Sequence, residues 1–299
     1  MVWYDTVGMF MTHLKLQAQR LERALQKRRA QRASRAFVLH KRMPWQSGYG
    51  EYKIESIRQS LADPGIMQRF QPVEKLPTGY GIKIDERIVE FPWVVAHLPA
   101  EPVRCLDAGS TLNHDFILDR PVFSNKDLTI MTLVPESEAF WDRKISYLWG
   151  DLRTSPFATD WFDVVTCIST LEHVGMDNSI YTDNPTYQKK DFQSHLEVIK
   201  EFKRILKPSG KLYLTVPYGR FQDCGFQQVF NAEMLQRVVD TFGGQVIEQT
   251  FYQYHATGWQ LSDQAACVNC EYYDIHTAQG YDPDQAAAAR AVACLVLQA

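Results

Sequence analysis

Short apolar runs alternate with longer amphipathic or turn-rich stretches from residue 103 to the end of the chain. The apolar runs span Val103–Leu106, Leu128–Leu133, Phe162–Ile168, Lys211–Val216, Gln245–Gln253 and Ala291–Gln298. Amphipathic helices are predicted over about residues 187–206 and 232–242. Buried strands alternating with helices indicate an α/β fold with a doubly wound, mostly parallel sheet and helices on both faces. Seven strands would suit such a sheet, with a ligand crevice at their carboxyl ends.

The first hundred residues follow a different pattern. Residues 9–36 lack Pro and Gly and predict a helix, so we expect residues 1–43 to form a basic amphipathic helical extension. Residues 44–100 are rich in aromatic residues, Pro and Gly, and predict a cap or entry segment with helices near 52–62 and 90–97. Residues 101–299 are then the α/β domain. The extension carries an apolar stripe of Val7, Phe10, Met11, Leu14, Leu21 and Leu25.

Composition and charge narrow the function classes. The 299 residues are 45% hydrophobic and 22% charged, which is typical of a globular protein. No apolar run reaches a membrane span, and the N-terminus does not resemble a secretory signal, so a cytoplasmic location is expected. Residues 1–42 carry ten Lys and Arg against two acidic residues, so the rest of the chain is strongly acidic. An acidic body disfavours a large polyanion such as nucleic acid in the active site.

The basic extension leaves three interpretations open. Its apolar stripe can dock on its own domain, form a contact in a homo-oligomer, or reach an anionic membrane or nucleic-acid surface. We favour packing on protein, and membrane association is not the preferred interpretation. Of the six cysteines, only Cys267 and Cys270 form a CxxC, without the second pair that a zinc ribbon needs. A structural metal, a redox role and ordinary thiols all remain open for this pair.

Two strand ends are candidate ligand contacts. The run Val103–Leu106 leads into Asp107 and a turn at Gly109, where glycine allows the backbone to approach a ligand closely. A G-x-G-x-x-G that cradles a pyrophosphate is absent. Further along, the carboxylate of Asp151 and the backbone N–H of Leu152 have the spacing to pair with an adenine edge.

Three blocks in series resemble the class I S-adenosylmethionine-dependent methyltransferase superfamily, across about residues 103–220. "LDAGS" is similar to its glycine-rich first motif, "GDLRTSPF…DWFDVVTCISTLEHV" to its acidic-loop and fourth-strand blocks, and "FKRILKPSGKLYLTVP" to its helix and fifth strand. The resemblance implies S-adenosyl-L-methionine as cofactor, with its methionine end near Asp107, Gly109, Ser110 and Thr111. Its adenine would contact Asp151 and Leu152. The expected cofactor site is completed by Thr132 and Ile168, which lie at two further strand ends.

Two positions depart from the superfamily pattern. The first motif lacks its later glycines, and the second strand ends at Thr132 where an acidic residue usually holds the ribose hydroxyls. Glu136, four residues further on, is a candidate substitute. These departures keep open a catalytically silent scaffold that uses the basic helix for a partner or membrane. An NAD- or nucleotide-sugar-binding enzyme is disfavoured by the missing glycines.

Glu172 and His173 follow the fourth strand, where substrate-facing residues often lie in this superfamily. His173 can act as a general base toward a hydroxyl, with Glu172 beside it, and we name the two as catalytic candidates. The alternative is that they only hydrogen-bond to the loop backbone. A divalent ion held by His173, Asp177 and Asp183 is a further alternative, which we do not favour.

The methyl acceptor is predicted to be a small molecule. No Asn/Asp-Pro-Pro-Tyr motif is present, which disfavours methylation of nucleobase amines. Aromatic residues that could line a pocket for a sugar are Trp45, Tyr49, Tyr80, Trp93, Tyr218, Phe221, Phe226 and Phe230. We therefore expect O-methylation of a sugar or a small hydroxylated metabolite.

Overall fold

The computed structural model describes residue 25, residues 28–136 and residues 138–299. The chain divides into two compact units, Met1–Ser56 and Ile57–Ala299. The predicted domain boundaries near residues 43 and 100 remain a prediction. Among the described residues, no helix is long and apolar enough to cross a membrane.

The first unit contains helix α1, described over residues 28–39, and the beginning of α2 (Tyr49–Ala62). Phe37 of α1 stacks on Tyr52 of α2, with ring centroids 4.9 Å apart. The basic side chains Arg28, Arg29, Arg32 and Arg35 are exposed. Most of the predicted apolar stripe, from Val7 to Leu21, lies outside the described residues, and Leu25 is exposed.

The second unit is built on one eight-stranded sheet. Its strands are β1 (Arg104–Ala108), β2 (Asp127–Thr132), β3 (Ser146–Trp149), β4 (Phe162–Ile168), β5 (Leu206–Pro217), β8 (Gln245–His255), β9 (Gly258–Ser262) and β10 (Ala291–Gln298). A separate two-stranded ribbon pairs β6 (Gln222–Asp223) with β7 (Gln228–Val229). The helices are α3 (Pro64–Met67), α4 (Arg87–His97), α5 (Asp115–Leu118), α6 (Ser179–Thr182), α7 (His195–Ile205), α8 (Ala232–Phe242) and α9 (Gln264–Cys267).

The strand order is β3-β2-β1-β4-β5-β10-β8-β9. β1 to β5 are all parallel, whereas β10 runs antiparallel to both β5 and β8, and β9 forms a hairpin with β8. The chain order reverses between β1 and β4, which places the ligand crevice of such a sheet at their carboxyl ends. This confirms the predicted doubly wound, mostly parallel fold, with eight strands in the sheet instead of seven.

Successive side chains of a strand point to opposite faces of the sheet, so apolar side chains lie on both faces and helices cover both. On one face, Leu212 and Leu214 of β5 join a core with Phe202 of α7 and Val238 of α8. On the other face, the ring of Tyr213 lies 6.3 Å from that of Trp93 on α4.

The predicted helix boundaries agree best with the structure where capping residues mark both ends of the helix. Residues 232–242 form α8 as predicted, because Asn231 caps the amide of Met234 and Gly243 ends the helix in the left-handed conformation. The helix predicted from residue 187 begins only at His195. Asn184 and Pro185 instead start a short 3-10 turn that ends at Tyr187.

Candidate active site

Asp107 is completely buried on β1 and organises the loop that follows. Its carboxylate accepts from the backbone N–H of Leu112 at 2.9 Å and from the hydroxyl of Thr166 at 3.2 Å. Burial raises the pKa of Asp107 to about 7, against the effect of those two hydrogen bonds. Asp107 therefore shapes the loop and does not line the cavity described below.

The loop after β1 is locked to the loop after β4. Gly109 has a φ of +105°, and a Cβ built there would lie 2.1 Å from the hydroxyl of Thr170. The hydroxyl of Thr111 donates to the backbone oxygen of Ile168 at 2.8 Å. From the sequence, this glycine was predicted to allow close approach of a ligand. In the structure the close neighbour of Gly109 is the chain's own Thr170.

A cavity of about 460 Å³ opens at the carboxyl ends of β1 to β4. Six of the ten residues predicted for the site line it: Gly109, Thr111, Thr132, Asp151, Leu152 and His173. The other four are buried and do not line it: Asp107, Ser110, Ile168 and Glu172. The topology thus brings the four predicted strand ends to one place, as the order of motifs suggested.

Asp151 lies just beyond β3, two strands away from β1. Arg153 holds its carboxylate, with Nη2 2.6 Å from Oδ2 and Nε 3.0 Å from Oδ1. Partial burial raises the pKa of Asp151, but these hydrogen bonds outweigh it and hold the pKa below its usual value. The backbone N–H of Leu152 has no hydrogen-bond partner in the described part of the chain. A fixed carboxylate therefore lies next to a free donor on the cavity wall.

The loop after β2 supplies a second carboxylate. β2 ends at Thr132, and the cavity wall continues through Leu133, Val134 and Pro135 to Glu136. Glu136 is exposed, and its charge contributes to the raised pKa of Asp107. The structure thus places a carboxylate in the cavity near the end of β2, although the strand itself ends without one.

His173 ends a 3-10 turn, Leu171–His173, that follows β4. Its Nδ1 lies 2.9 Å from the backbone oxygen of Phe226, and because a carbonyl can only accept, Nδ1 carries the proton. Burial lowers the pKa of His173 to about 4, so the ring is neutral at pH 7. Nε2 then keeps its lone pair, and it has no hydrogen-bond partner among residues 28–136 and 138–299.

Glu172 is buried and does not itself line the cavity, but the charges of Arg87, Glu90 and Glu86 act on it, and Arg87 lines the cavity. Burial raises the pKa of Glu172 to about 8, and its Oε2 has no partner among the described residues. Glu90 accepts from the hydroxyls of Ser169 and Thr215, each at 2.6 Å, and forms an ion pair with Arg87. Glu172 thus does not line the cavity, whereas its charged neighbour Arg87 does.

Sequence reasoning missed the charged residues Arg153 and Arg87, which line the cavity, and Glu90, which forms an ion pair with Arg87. Arg153 and Arg87 carry no local signal, because their partners are defined only by the fold. Glu90 did carry one, since a carboxylate stands inside the apolar helix run from Ile88 to Val94. A buried charge in such a run needs a partner and therefore marks a polar cluster.

The aromatic residues predicted for the pocket are used differently. Tyr80, Trp93, Tyr218, Phe221, Phe226 and Phe230 do not line the cavity, whose aromatic residues are Tyr181 and Tyr187 from the loop after β4. Asp177 in that loop accepts from the N–H and hydroxyl of Ser179. Within the described ranges, no group of three or more His, Cys, Asp or Glu side chains could hold a metal ion.

Residues 127–214 match a family model described as a methyltransferase domain. This segment runs from β2 to β5 and includes Thr132, Asp151, Leu152 and His173. No curated protein sequence matches the chain.

Several solved structures are similar to the chain at low identity. One is the Burkholderia thailandensis 1,6-didemethyltoxoflavin-N1-methyltransferase, with 12% identity, a TM-score of 0.44, and 83% of this chain and 89% of that chain covered. Another is the N-methyltransferase NodS from Bradyrhizobium japonicum, with 13% identity, a TM-score of 0.40, and 82% of this chain and 96% of that chain covered. A third is the complex between the Haloferax volcanii Trm112 methyltransferase activator and a methyltransferase. It has 16% identity and a TM-score of 0.44, and 81% of this chain and 97% of that chain are covered.

Proposed function

We propose that this chain, which carries a class I S-adenosylmethionine-dependent methyltransferase domain, methylates a hydroxyl group of a sugar or another small hydroxylated metabolite. The observation that carries the proposal is the state of His173. Its Nδ1–H is held by Phe226, and its neutral Nε2 is left as an acceptor on the wall of the cavity. A hydroxyl acceptor needs a group that removes its proton, and this nitrogen can do so.

The cavity residues fit the cofactor. The carboxylate of Asp151 can accept from the exocyclic amine of adenine while the free N–H of Leu152 donates to a ring nitrogen. The carboxylate of Glu136 can accept from the ribose hydroxyls, in place of the acid that the superfamily carries at the end of β2. The loop at Gly109 and Thr111 is left for the methionine end. When bound, the cofactor supplies an electrophilic methyl group.

The chain's own chemistry is then positioning and proton removal. The rings of Tyr181 and Phe226 flank the imidazole of His173, with centroids 5.3 and 5.9 Å away, and fix its orientation. A pKa of about 4 makes His173 a weak base, yet one that is already unprotonated at pH 7. A weak base is sufficient here, because a hydroxyl that is gaining a methyl group becomes strongly acidic.

The cavity favours a small polar acceptor. Near His173 it is lined by Asn178, Tyr181, Tyr187 and Lys189, which can hydrogen-bond to hydroxyl groups, and the two tyrosine rings can stack on a sugar or a flat ring. A volume of about 460 Å³ lies within the range of small-molecule sites.

The test is methyl transfer from labelled S-adenosylmethionine to pairs of acceptors that differ only in a hydroxyl or an amine at the same position. We expect label in an O-methyl ether, identified by NMR, and little in the amine partner. Transfer only to nitrogen would contradict the proposal. Calorimetry on the same sample separates a second alternative, since a silent scaffold would show no binding of the cofactor.

A further inference from the structure

We propose that Cys267 and Cys270 form a peroxide-sensitive dithiol, whose oxidation to a disulfide changes the segment that holds His173. The two cysteines lie on one turn at the end of α9, where the N–H of Cys270 donates to the backbone oxygen of Cys267 at 3.0 Å. Both are reduced in the structure. Cys267 is completely buried and Cys270 is partly exposed.

The surroundings of Cys270 are those of a reactive thiol. The amide of Gln253 donates to its sulfur at 3.4 Å, and the other end of that amide accepts from the hydroxyl of Ser262 at 3.1 Å, which fixes its orientation. The Cys267 thiol lowers the pKa of Cys270 to about 7 against the effect of burial, with support from Gln253 and the Arg290 guanidinium. A partly exposed thiolate beside a second cysteine is the arrangement of a redox pair.

Cys224 provides a comparison within the same chain. It is also partly exposed, but burial and the neighbouring carboxylates of Asp274 and Asp223 raise its pKa to about 12. Exposure alone therefore does not distinguish the two thiols, whereas their electrostatic surroundings do.

The oxidation is balanced with hydrogen peroxide as the oxidant. The Cys270 thiolate attacks one peroxide oxygen, and the O–O bond breaks. Cys270 becomes a sulfenic acid, and the departing hydroxide takes one proton from the solvent and leaves as water. The Cys267 thiol then attacks that sulfur, a disulfide forms, and the displaced hydroxide takes the Cys267 proton to leave as a second water. Two thiols lose two electrons in total, and the peroxide gains them.

A short, tightly packed path connects this pair to the site. The backbone N–H of Arg220 donates to the carbonyl of Cys270 at 2.9 Å, and a Cβ at Gly219 would lie 2.1 Å from the same oxygen. Two residues after Arg220, the side-chain amide of Gln222 accepts a hydrogen bond from the backbone N–H of Tyr272 and donates one to its backbone oxygen. The same segment then reaches Phe226, whose carbonyl holds His173.

A shift of the Cys270 backbone on disulfide formation therefore displaces residues 219–226, because the contact at Gly219 leaves no free space. The Phe226 carbonyl and its hydrogen bond to His173 move with them. The dithiol chemistry stands independently, whereas its effect on methyl transfer rests on the proposed function of His173.

The first experiment measures thiol reactivity by mass spectrometry. At pH 7 we expect iodoacetamide to label Cys270 at least about 100-fold faster than Cys224, because a much larger fraction of Cys270 is thiolate. Peroxide should produce a Cys267–Cys270 disulfide that dithiothreitol reverses. Cys267→Ser should stop at a sulfenic acid that dimedone traps, and the control Cys224→Ser should still form the disulfide. Equal labelling of the two cysteines, or a pair that stays reduced in peroxide, would overturn the proposal.

The second experiment measures the connection between the Cys267–Cys270 pair and His173 without an activity assay. The NMR signals of the His173 ring should shift between the reduced and oxidised protein, and the shift should be absent in Cys267→Ser. If the disulfide forms and the His173 signals stay unchanged, the connection is wrong. If His173 shifts in a protein that shows no methyl transfer to hydroxyls, the redox proposal stands and the proposed function fails.

Discussion

The Nδ1 atom of His173 lies 2.9 Å from the backbone oxygen of Phe226, although 53 residues separate the two along the chain. This contact joins the loop after β4 to the segment between the ribbon strands β6 and β7. It fixes which imidazole nitrogen carries the proton, and so leaves Nε2 as the acceptor in the cavity. The chemistry proposed for the site depends on this contact.

Stability should fall as the pH rises from about 4.5 to about 8, in part because of Glu172. Its folded pKa, raised to about 8, exceeds its unfolded value, so its stabilising contribution is complete at acidic pH and is lost as the pH rises through about 8. Glu172→Gln stays neutral at every pH and should flatten the decrease in melting temperature between about pH 5 and 8. The exposed Glu233→Gln is the control and should keep the wild-type slope. A Glu172→Gln slope equal to wild type would show that this carboxyl is ionised when folded.

Gly109→Ala should destabilise the fold by about 2–4 kcal/mol, because the added Cβ meets Thr170 and the φ of +105° is strained for alanine. Denaturant unfolding measures the loss. In the double variant with Thr170→Gly the clash is gone and only the backbone strain remains, so part of the loss should be recovered. No recovery would mean that the contact with Thr170 does not explain the glycine.

Asp151→Ala should weaken binding of S-adenosylmethionine by roughly 1–3 kcal/mol, the scale of a lost charge-assisted hydrogen bond. Calorimetry gives the dissociation constant directly. Glu197→Ala is the matched control, since Glu197 is an exposed carboxylate that also lies near Arg153, at 3.9 Å. An unchanged affinity in folded Asp151→Ala would show that the adenine binds elsewhere.

Glu136→Ala should also weaken cofactor binding, by about 1–2 kcal/mol, if its carboxylate holds the ribose hydroxyls. The loss should be much smaller with an analogue that lacks those hydroxyls. Glu138→Ala is a control from the same loop, because the side chain of Glu138 does not line the cavity. Equal losses for Glu136→Ala with both ligands would argue against a ribose contact.

The sequence predicted the elements whose signals are local. The strands β1, β2 and β4 follow continuous apolar runs, and α8 has a capping residue at its start and a glycine after its end. β3 was not located in the sequence, because it is short and its four residues are only half-buried or exposed, which leaves no apolar run. The hairpin strand β9 was missed as well, and it accounts for the eighth strand of the sheet.

The site was predicted to the level of strand ends, but not of contacts. Parallel strands bring their carboxyl ends together, so the sequence alone is enough to place Gly109, Asp151 and His173 in one crevice. Which side chains face that crevice depends on long-range packing. Asp107 and Glu172 are buried and do not line it, and no sequence pattern indicated that Phe226 would orient His173.

The most direct test of the account is the turnover of His173→Gln with a hydroxyl acceptor. We expect kcat to fall at least about 100-fold while the cofactor dissociation constant stays within about threefold, because a general base acts on the reaction and not on cofactor binding. The wild-type rate should fall only as the pH drops toward about 4, where His173 becomes protonated. The control His276→Asn changes a histidine whose ring lies 5.8 Å from that of Phe226, and it should behave as wild type. A kcat within threefold of wild type in folded His173→Gln would contradict the account.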